Sequence, residues 1–468
     1  MTVNSVIKNC SIVSPTGVLR AGLAIDRGKI VAIAREQELP SAETIIDGNG
    51  NFVIPGLVDA HMHLEWPPGV DPVKNIRAET QASASSGVTT IIHLLAPSDN
   101  TLDKAKEFVE LYEKNAFVDL ALSARIYTRE DIRQIQQLAD HGIHGFKLLL
   151  PYKGPEAVWK GRVGGIDDGI IFLTLEEVAR LSKKGYDVFT RVHCENIEIF
   201  FKLKEKYQEL GKEPSSWNEV RPRYCEEEAM RKCIYLASVT GCPLYIVHTT
   251  IKEGVELIAR AKRRGLNVIA ETCVQYLTLN TNNTDRVLCK ANPPIREEDD
   301  NSKLWDGIRD GTISVVATDH APVPKELKTN LWDAIPGVPG VETFLPLMLS
   351  EGVNKKRISL EKMVEVCCYN PAKTFGLFPT KGLISVGSDA DLVIIDLNRE
   401  VSVDEGSLYT ASKSSPFAGW RLKGWPTLVM LRGEVVSEDR KVIADSALGK
   451  YITPPGVSHS GSKGLLVK

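Results

Sequence analysis

The stretch NFVIPGLVDAHMH, Asn51–His63, decides the fold. It opens as an apolar run of strand length and ends in two histidines, His61 and His63, spaced i, i+2. Residues so spaced on a strand point to the same face, and two imidazoles on one face at a strand end can grip a single cation. Working outward, the pattern recurs. VTTIIHLLA, HGFKLLLP, DVFTRVHCEN, PLYIVHTT, LNVIAETC and ISVVATDHAP are further apolar runs of strand length. Amphipathic stretches such as TLEEVARLSKKG and IKEGVELIARAKRRG lie between them. Strand alternating with helix over roughly 300 residues predicts a parallel sheet with crossover helices. At this length a closed (β/α)₈ barrel is the leading fold. An open doubly wound sheet is the alternative, but no Gly-rich phosphate loop follows any strand.

The two ends of the chain read differently. SVIKNCSIV and GLAIDRGKIVAIA, separated by a turn at Ser14-Pro15-Thr16-Gly17, are short strands, and the pattern returns in SDADLVIIDL and TLVMLRGEVVSED. Such pieces at opposite ends often meet in space. The expected division is therefore a small β-sandwich from residues 1–54 and 385–453, a barrel over 55–384, and a flexible tail over 454–468. That tail is Gly/Ser/Pro-rich with little to bury.

Composition narrows the function. The chain has 468 residues and a formal net charge of -3, without the basic footprint of a nucleic-acid binder. No apolar stretch approaches the roughly 18 residues that span a bilayer. Met1–Val13 lacks a basic region followed by a long apolar run, so no signal peptide is expected. The nine cysteines are scattered, with no CxxC pair, which disfavours a disulfide framework or a zinc knuckle and favours a reducing cytoplasm.

Barrel enzymes carry their chemistry at the C-terminal ends of strands. Reading only those ends returns His61, His63, Lys147, His193, His248 and Asp319. A lone histidine is more often a hydrogen-bonded structural residue than a ligand, and His141, His144 and His459 take that reading from loop-like or tail positions. His93, late in a strand, is undecided, and His320 is read as orienting a neighbour. The remaining histidines collect with an aspartate, and accident explains that poorly. Imidazole with carboxylate suits Zn²⁺, Mn²⁺ or Co²⁺ rather than Ca²⁺ or Mg²⁺, and the donors exceed one tetrahedral shell, so two divalent ions fit better. An ammonium between two dications is repelled, which favours the neutral amine of Lys147. A neutral amine can take up CO₂ as a carbamate, with one oxygen for each ion. The alternative is a buried lysine paired with a carboxylate.

The strings PGLVDAHMHLE, GFKLLLPYKG, VHCEN, IVHTT and ATDHAP resemble the amidohydrolase superfamily, nearest the branch of hydantoinase, dihydropyrimidinase, allantoinase and dihydroorotase. The resemblance runs nearly the whole chain, through NPPIR near Arg296, GVPGVE near Glu342 and GSDADLVIID. It implies a carboxylated Lys147 bridging two metals, with His61, His63, Lys147 and Asp319 on one and Lys147, His193 and His248 on the other. It also implies opening of a small cyclic amide or ureide by a bridging hydroxide, with Asp319 shuttling the proton and Tyr152 hydrogen-bonding the oxyanion. Asn292 and Pro336 stand where the family reads the ring's amide edge through backbone groups.

Within the branch the signals divide. Glu65 occupies the place of an arginine in dihydroorotase, and a carboxylate there should repel an anionic substrate. ETCVQYL, Glu271–Leu277, is closer to hydantoinase and dihydropyrimidinase, whereas VHCEN and the region Val220–Ala237 are similar to allantoinase. Trp66, ahead of Pro67 and Pro68, either lines the pocket or packs a loop. A scaffold relative that has lost its metals would show substitutions among the six ligands, and none is present. A phosphotriesterase-like or deaminase activity on the same core is disfavoured by NPPIR and GVPGVE. SSPFAGWRLKGWPTLVMLRG resembles the C-terminal part of hydantoinases, which implies a homotetramer or homodimer. Phe417, Trp420 and Trp425 in that segment suit an interface or a sandwich core.

Overall fold

The structure, a computed structural model, describes residues 2–154, 156 and 165–453. The expected tail, 454–468, lies outside the described residues. Eight parallel strands form one sheet in strict sequence order. They are β1 (Leu57–Met62), β2 (Val88–Leu95), β3 (Asp119–Arg125), β4 (Gly145–Leu149), β5 (Phe189–His193), β6 (Leu244–Ile246), β7 (Val268–Cys273) and β8 (Val315–Ala317). These strands are buried almost throughout. That burial on both faces is why they read as continuous apolar runs rather than alternating ones. Helices cover the outside, and their caps are legible: Asp71 caps Pro72–Ser85, and Thr128 with Asp131 forms a capping box at Arg129–Asp140.

The barrel closes between β8 and β1. A parallel bridge pairs Met62 with His320, and the His63 N–H donates to the His320 carbonyl at 3.0 Å. Below it, the Asp59 carboxylate accepts from the Thr318 N–H at 3.1 Å and the Thr318 hydroxyl at 2.5 Å. A side chain from inside β1 thus supplies part of the join to β8.

The termini do meet. A four-stranded sheet carries Val3–Lys8, Gly22–Asp26, Lys29–Ala34 and Ala42–Asp47. A seven-stranded sheet joins the early strands Ser11–Ser14, Gly17–Arg20 and Phe52–Pro55 to the late strands Leu392–Ser402, Arg421–Leu431, Glu434–Glu438 and Lys441–Val442. Ile7, Leu23 and Ile25 of the first pack with Val53, Leu392 and Met430 of the second. Phe417 and Trp425 are buried within the chain, which makes them core. All nine cysteines are free and buried.

A buried ion cluster fastens the sheets to the barrel. Lys381 reaches Asp119 at the start of β3 (2.6 Å), Asp389 (2.9 Å) and Asp391 (2.6 Å). Arg432 also pairs with Asp119. Three carboxylates could suit a cation, but the Lys381 ammonium already stands among them. Replacing it with methionine leaves the aspartates unbalanced. Lys381→Met should cost about 3–5 kcal/mol, read as a lowered urea midpoint; a midpoint equal to that of the parent would discount the cluster as a fastening.

Candidate metal centre

Each strand-end residue singled out in the sequence faces one cavity at the C-terminal mouth of the barrel. Its lining includes His61, His63, Lys147, His193, His248 and Asp319, with Tyr152, Asn292, Pro336 and Trp66. His61 ends near the inner face of β1, Lys147 projects from β4, and His193 closes β5. His248 and Asp319 follow β6 and β8 directly, with φ of 33° and 47°. Left-handed backbone is uncommon outside glycine, is tolerated better by Asp and His than by most residues, and clusters at functional sites.

Distances among the donors are short. Asp319 Oδ1 lies 2.9 Å from His63 Nε2 and 3.3 Å from His61 Nε2. These three donors fall within 4.8 Å of one another, close enough to share an ion. Lys147 Nζ is 3.4 Å from His61 Nε2. The His193 and His248 rings meet edge to face with centroids 4.2 Å apart. His248 Nδ1 is buried and has no hydrogen-bond partner among the described residues. The donor set and this orphaned nitrogen fit a pair of divalent ions.

Outside the donors stands a ring of partners that strand-end reasoning passed over. His61 Nδ1 contacts Glu271 Oε1 at 2.7 Å. Glu271 in turn accepts from the Tyr245 hydroxyl at 2.7 Å and lies 3.4 Å from Arg191. His193 Nε2 meets Glu195 Oε2 at 2.7 Å, and Arg221 donates to the same oxygen at 3.1 Å. Carboxylates behind metal-binding imidazoles fix ring orientation and raise ligand basicity. Glu195 had a signal, since it stands two residues after His193. Glu271 lies within β7 rather than at its end, and nothing in its spacing marks it.

Burial governs the charges. It pulls the Lys147 ammonium down to about 7, helped by the Arg191 guanidinium. His61 and His248 fall well below the usual imidazole range, through burial first and then Lys147 for His61 and His193 for His248. All three are therefore biased toward the neutral form that binds metal or CO₂. Burial raises the Tyr152 phenol, so it stays a donor, hydrogen-bonded to Asn292.

Other residues fall outside the cavity. His93 stacks on Phe108 at 4.6 Å and sits 3.5 Å from Glu65. His320 contacts Glu79 at 2.8 Å and accepts from the Gly340 N–H at 3.0 Å, which pins the GVPGVE loop. Glu65 is not among the lining residues, and it lies 3.4 Å from Lys104. Burial works to raise its pKa, but His93, Lys104 and Arg125 together hold it well below the usual carboxylate range. Its charge is answered locally by these cations. Trp66 fills both expected roles: it packs with Ala321, Val323 and Ile335 and also lines the cavity.

Residues 52–436 match the Amidohydrolase family. The chain belongs to it. It is 34% identical to the L-hydantoinase of Paenarthrobacter aurescens over 96% of this chain and 97% of that one. It is 32% identical to the allantoinase of Enterococcus faecalis, over 97% of this chain and all (100%) of that one. Among solved structures, the L-hydantoinase (dihydropyrimidinase) from Arthrobacter aurescens superposes with a TM-score of 0.89 at 33% identity, covering 96% of this chain and 100% of that one. The amidohydrolase resemblance and the barrel-plus-sheets fold are thereby borne out. Among the described residues, no helix is long and apolar enough to cross a membrane.

The partner ring makes a testable claim. Glu271→Gln keeps the shape but removes the charge behind His61. Metal affinity should fall roughly 10–100-fold, measured by competition with a chromogenic chelator; undiminished affinity would show that the carboxylate does not tune His61.

Proposed function

We propose that this chain opens a cyclic amide ring of hydantoin or dihydropyrimidine type with water, giving an N-carbamoyl amino acid. The observation that carries the reading is Lys147. It is fully buried, stands among four imidazoles and Asp319 around one cavity, and has no carboxylate within salt-bridge distance among the described residues. A structural lysine at such depth needs an anionic partner; a lysine that takes up CO₂ becomes the anion itself. The hydantoinase and allantoinase relatives support the same chemistry.

On this reading His61, His63, carboxylated Lys147 and Asp319 hold one divalent ion, and Lys147, His193 and His248 hold the other. Zn²⁺ is preferred, with Mn²⁺ or Co²⁺ as alternatives. When bound, the pair supplies a water of lowered pKa and polarises the ring carbonyl. Asp319 accepts the proton of the attacking water and returns it to the leaving ring nitrogen. The Tyr152 hydroxyl donates to the carbonyl oxygen as it gains negative charge, and Asn292 sets the direction of that hydroxyl. Asn292 and Pro336 border the amide edge of the ring. The Pro336 carbonyl already accepts from Trp66 Nε1 at 3.2 Å, which leaves it one further lone pair.

Allantoin is the second reading, favoured by allantoinases that match this chain as fully as the hydantoinases do. Assembly as a homotetramer or homodimer, supported by the hydantoinase-like segment around Trp420, and a cytoplasmic location, supported by nine free buried cysteines, belong to the same proposal.

The deciding experiment is ring opening by metal-reconstituted protein on hydantoin, 5-phenylhydantoin, dihydrouracil, allantoin and dihydroorotate. Chelator-sensitive turnover of one of the first three supports the main reading. Turnover of allantoin alone moves the assignment, and silence on all five by metal-loaded protein overturns it. Lys147→Ala should abolish activity and lower bound metal, while Asp319→Ala should cost about 10²–10⁴-fold in rate with the fold intact by circular dichroism. Neutral amine prevails above the Lys147 pKa of about 7. Metal loading of apo protein with bicarbonate should therefore rise as pH climbs from 6 to 8, and a flat profile would count against carbamate formation.

A further inference from the structure

Gln275 is a polar residue at the cavity that the mechanism above leaves unused. It stands just past β7, in the short helix Val274–Thr278. The residue lines the cavity with Tyr152, Asn292, Asp319 and Pro336, yet it is 1% exposed. Its Oε1 is buried and has no hydrogen-bond partner among the described residues. That oxygen lies 3.9 Å from the point where a Cβ on Gly340 would stand, and the Thr318 carbonyl lies 3.6 Å from the same point. Gln275 Oε1 therefore stands near Gly340 and the backbone of Thr318, the residue before Asp319.

A buried amide oxygen left without a donor is unfavourable, and native structures rarely keep one unless something else completes it. The other acceptors here already have partners, and the Pro336 carbonyl keeps one lone pair where Gln275 Oε1 keeps both. Asp319 contacts His61 and His63, and the Pro336 carbonyl accepts from Trp66. A cyclic imide or ureide presents carbonyl oxygens alternating with N–H groups. Tyr152 serves a carbonyl; an N–H needs an acceptor, and Gln275 Oε1 is the side-chain amide oxygen at this cavity that has no donor among the described residues.

We infer that Gln275 accepts a hydrogen bond from the ring N–H flanked by two carbonyls, and so restricts the substrates to rings in which that nitrogen carries hydrogen. The inference rests on the ring-opening reading. It gives Gln275 a role at the leaving nitrogen: the residue holds the existing N–H while Asp319 delivers a second proton to the lone pair. A ring methylated at that nitrogen presents a methyl group to an acceptor that then stays unsatisfied. Sites built to bind an N–H or O–H reject analogues lacking it far more strongly than apolar pockets reject an extra methylene.

The test compares the parent ring with its imide-N-methyl analogue, on wild type and on Gln275→Met, which keeps the length and removes the acceptor. Wild type should prefer the N–H ring by at least roughly tenfold in kcat/KM. Gln275→Met should lose about that factor on the N–H ring, largely in KM, and change little on the methylated ring, with bound metal and melting temperature unchanged. Equal turnover of both rings by wild type overturns the inference without any variant. A folded, metal-loaded Gln275→Met that keeps the wild-type preference overturns it as well. Wild-type silence on both rings is a different failure, because it removes the ring-opening reading and takes this inference with it.

Discussion

The join between β1 and β8 is the constraint on which the site depends. His63 and Asp319 are 256 residues apart in sequence, yet a nitrogen and an oxygen of theirs stand 2.9 Å apart. No local preference produces that contact. It follows from closing a sheet whose first and last strands must meet, and the closure is held by Asp59 on Thr318 and by the Met62–His320 bridge. Both holding pairs lie within a few residues of the proposed ligands. The scaffold and the chemistry therefore share a joint, and a change that loosens the barrel there pulls the proposed first metal position apart.

Around that joint the interior carries an unusual load of charge. Arg191 is fully buried and stacks on Tyr245 and Phe375 with its guanidinium carbon 5.1 and 5.2 Å from the ring centroids. Its partner Glu271 is equally buried. Buried ion pairs seldom add net stability over apolar packing, so their presence beneath the cavity asks for another reason. The geometry offers one. Glu271 faces His61, and the Arg191 charge adds to burial in keeping Lys147 from protonation. On the proposed reading, these groups prepare a neutral amine and a rigid imidazole before any metal arrives, which lowers the reorganisation that binding requires.

How much of this was legible in sequence follows from the periodicity of strands. Where burial on both faces makes a continuous apolar run, the strand and its C-terminal end are both visible, so His61, His193, His248 and Asp319 could be picked out by position, whereas Lys147 proves to lie at the middle of β4 and was marked by its charge within an apolar run. The pairing of the two termini was visible because short strands with tight turns read alike wherever they occur. Partners inside the barrel were not visible. Glu271 and Arg191 interrupt their strands with charges whose partners, each other among them, lie far away in sequence, 80 residues apart for this pair. Gln275 sits in a helix of one turn, too short to carry a period. The surroundings of Glu65 were hidden for a related reason: Lys104 and Arg125 come from separate elements, and only the fold brings them to it.

That limit says where the choice of ring must be sought. On the proposed reading, strand ends and the residues just past them set the metal donors. The loops set the rest of the wall: Trp66 against Pro336, Tyr152 with Asn292, and the turn that carries Gln275. These groups differ from the donors in kind, because they are neutral and act through direction. A neutral acceptor distinguishes N–H from N–CH₃ without distinguishing an anionic ring from an uncharged one. On the proposed reading, selection in this cavity is a matter of hydrogen-bond pattern and shape at the loops, imposed on machinery that the barrel holds in place.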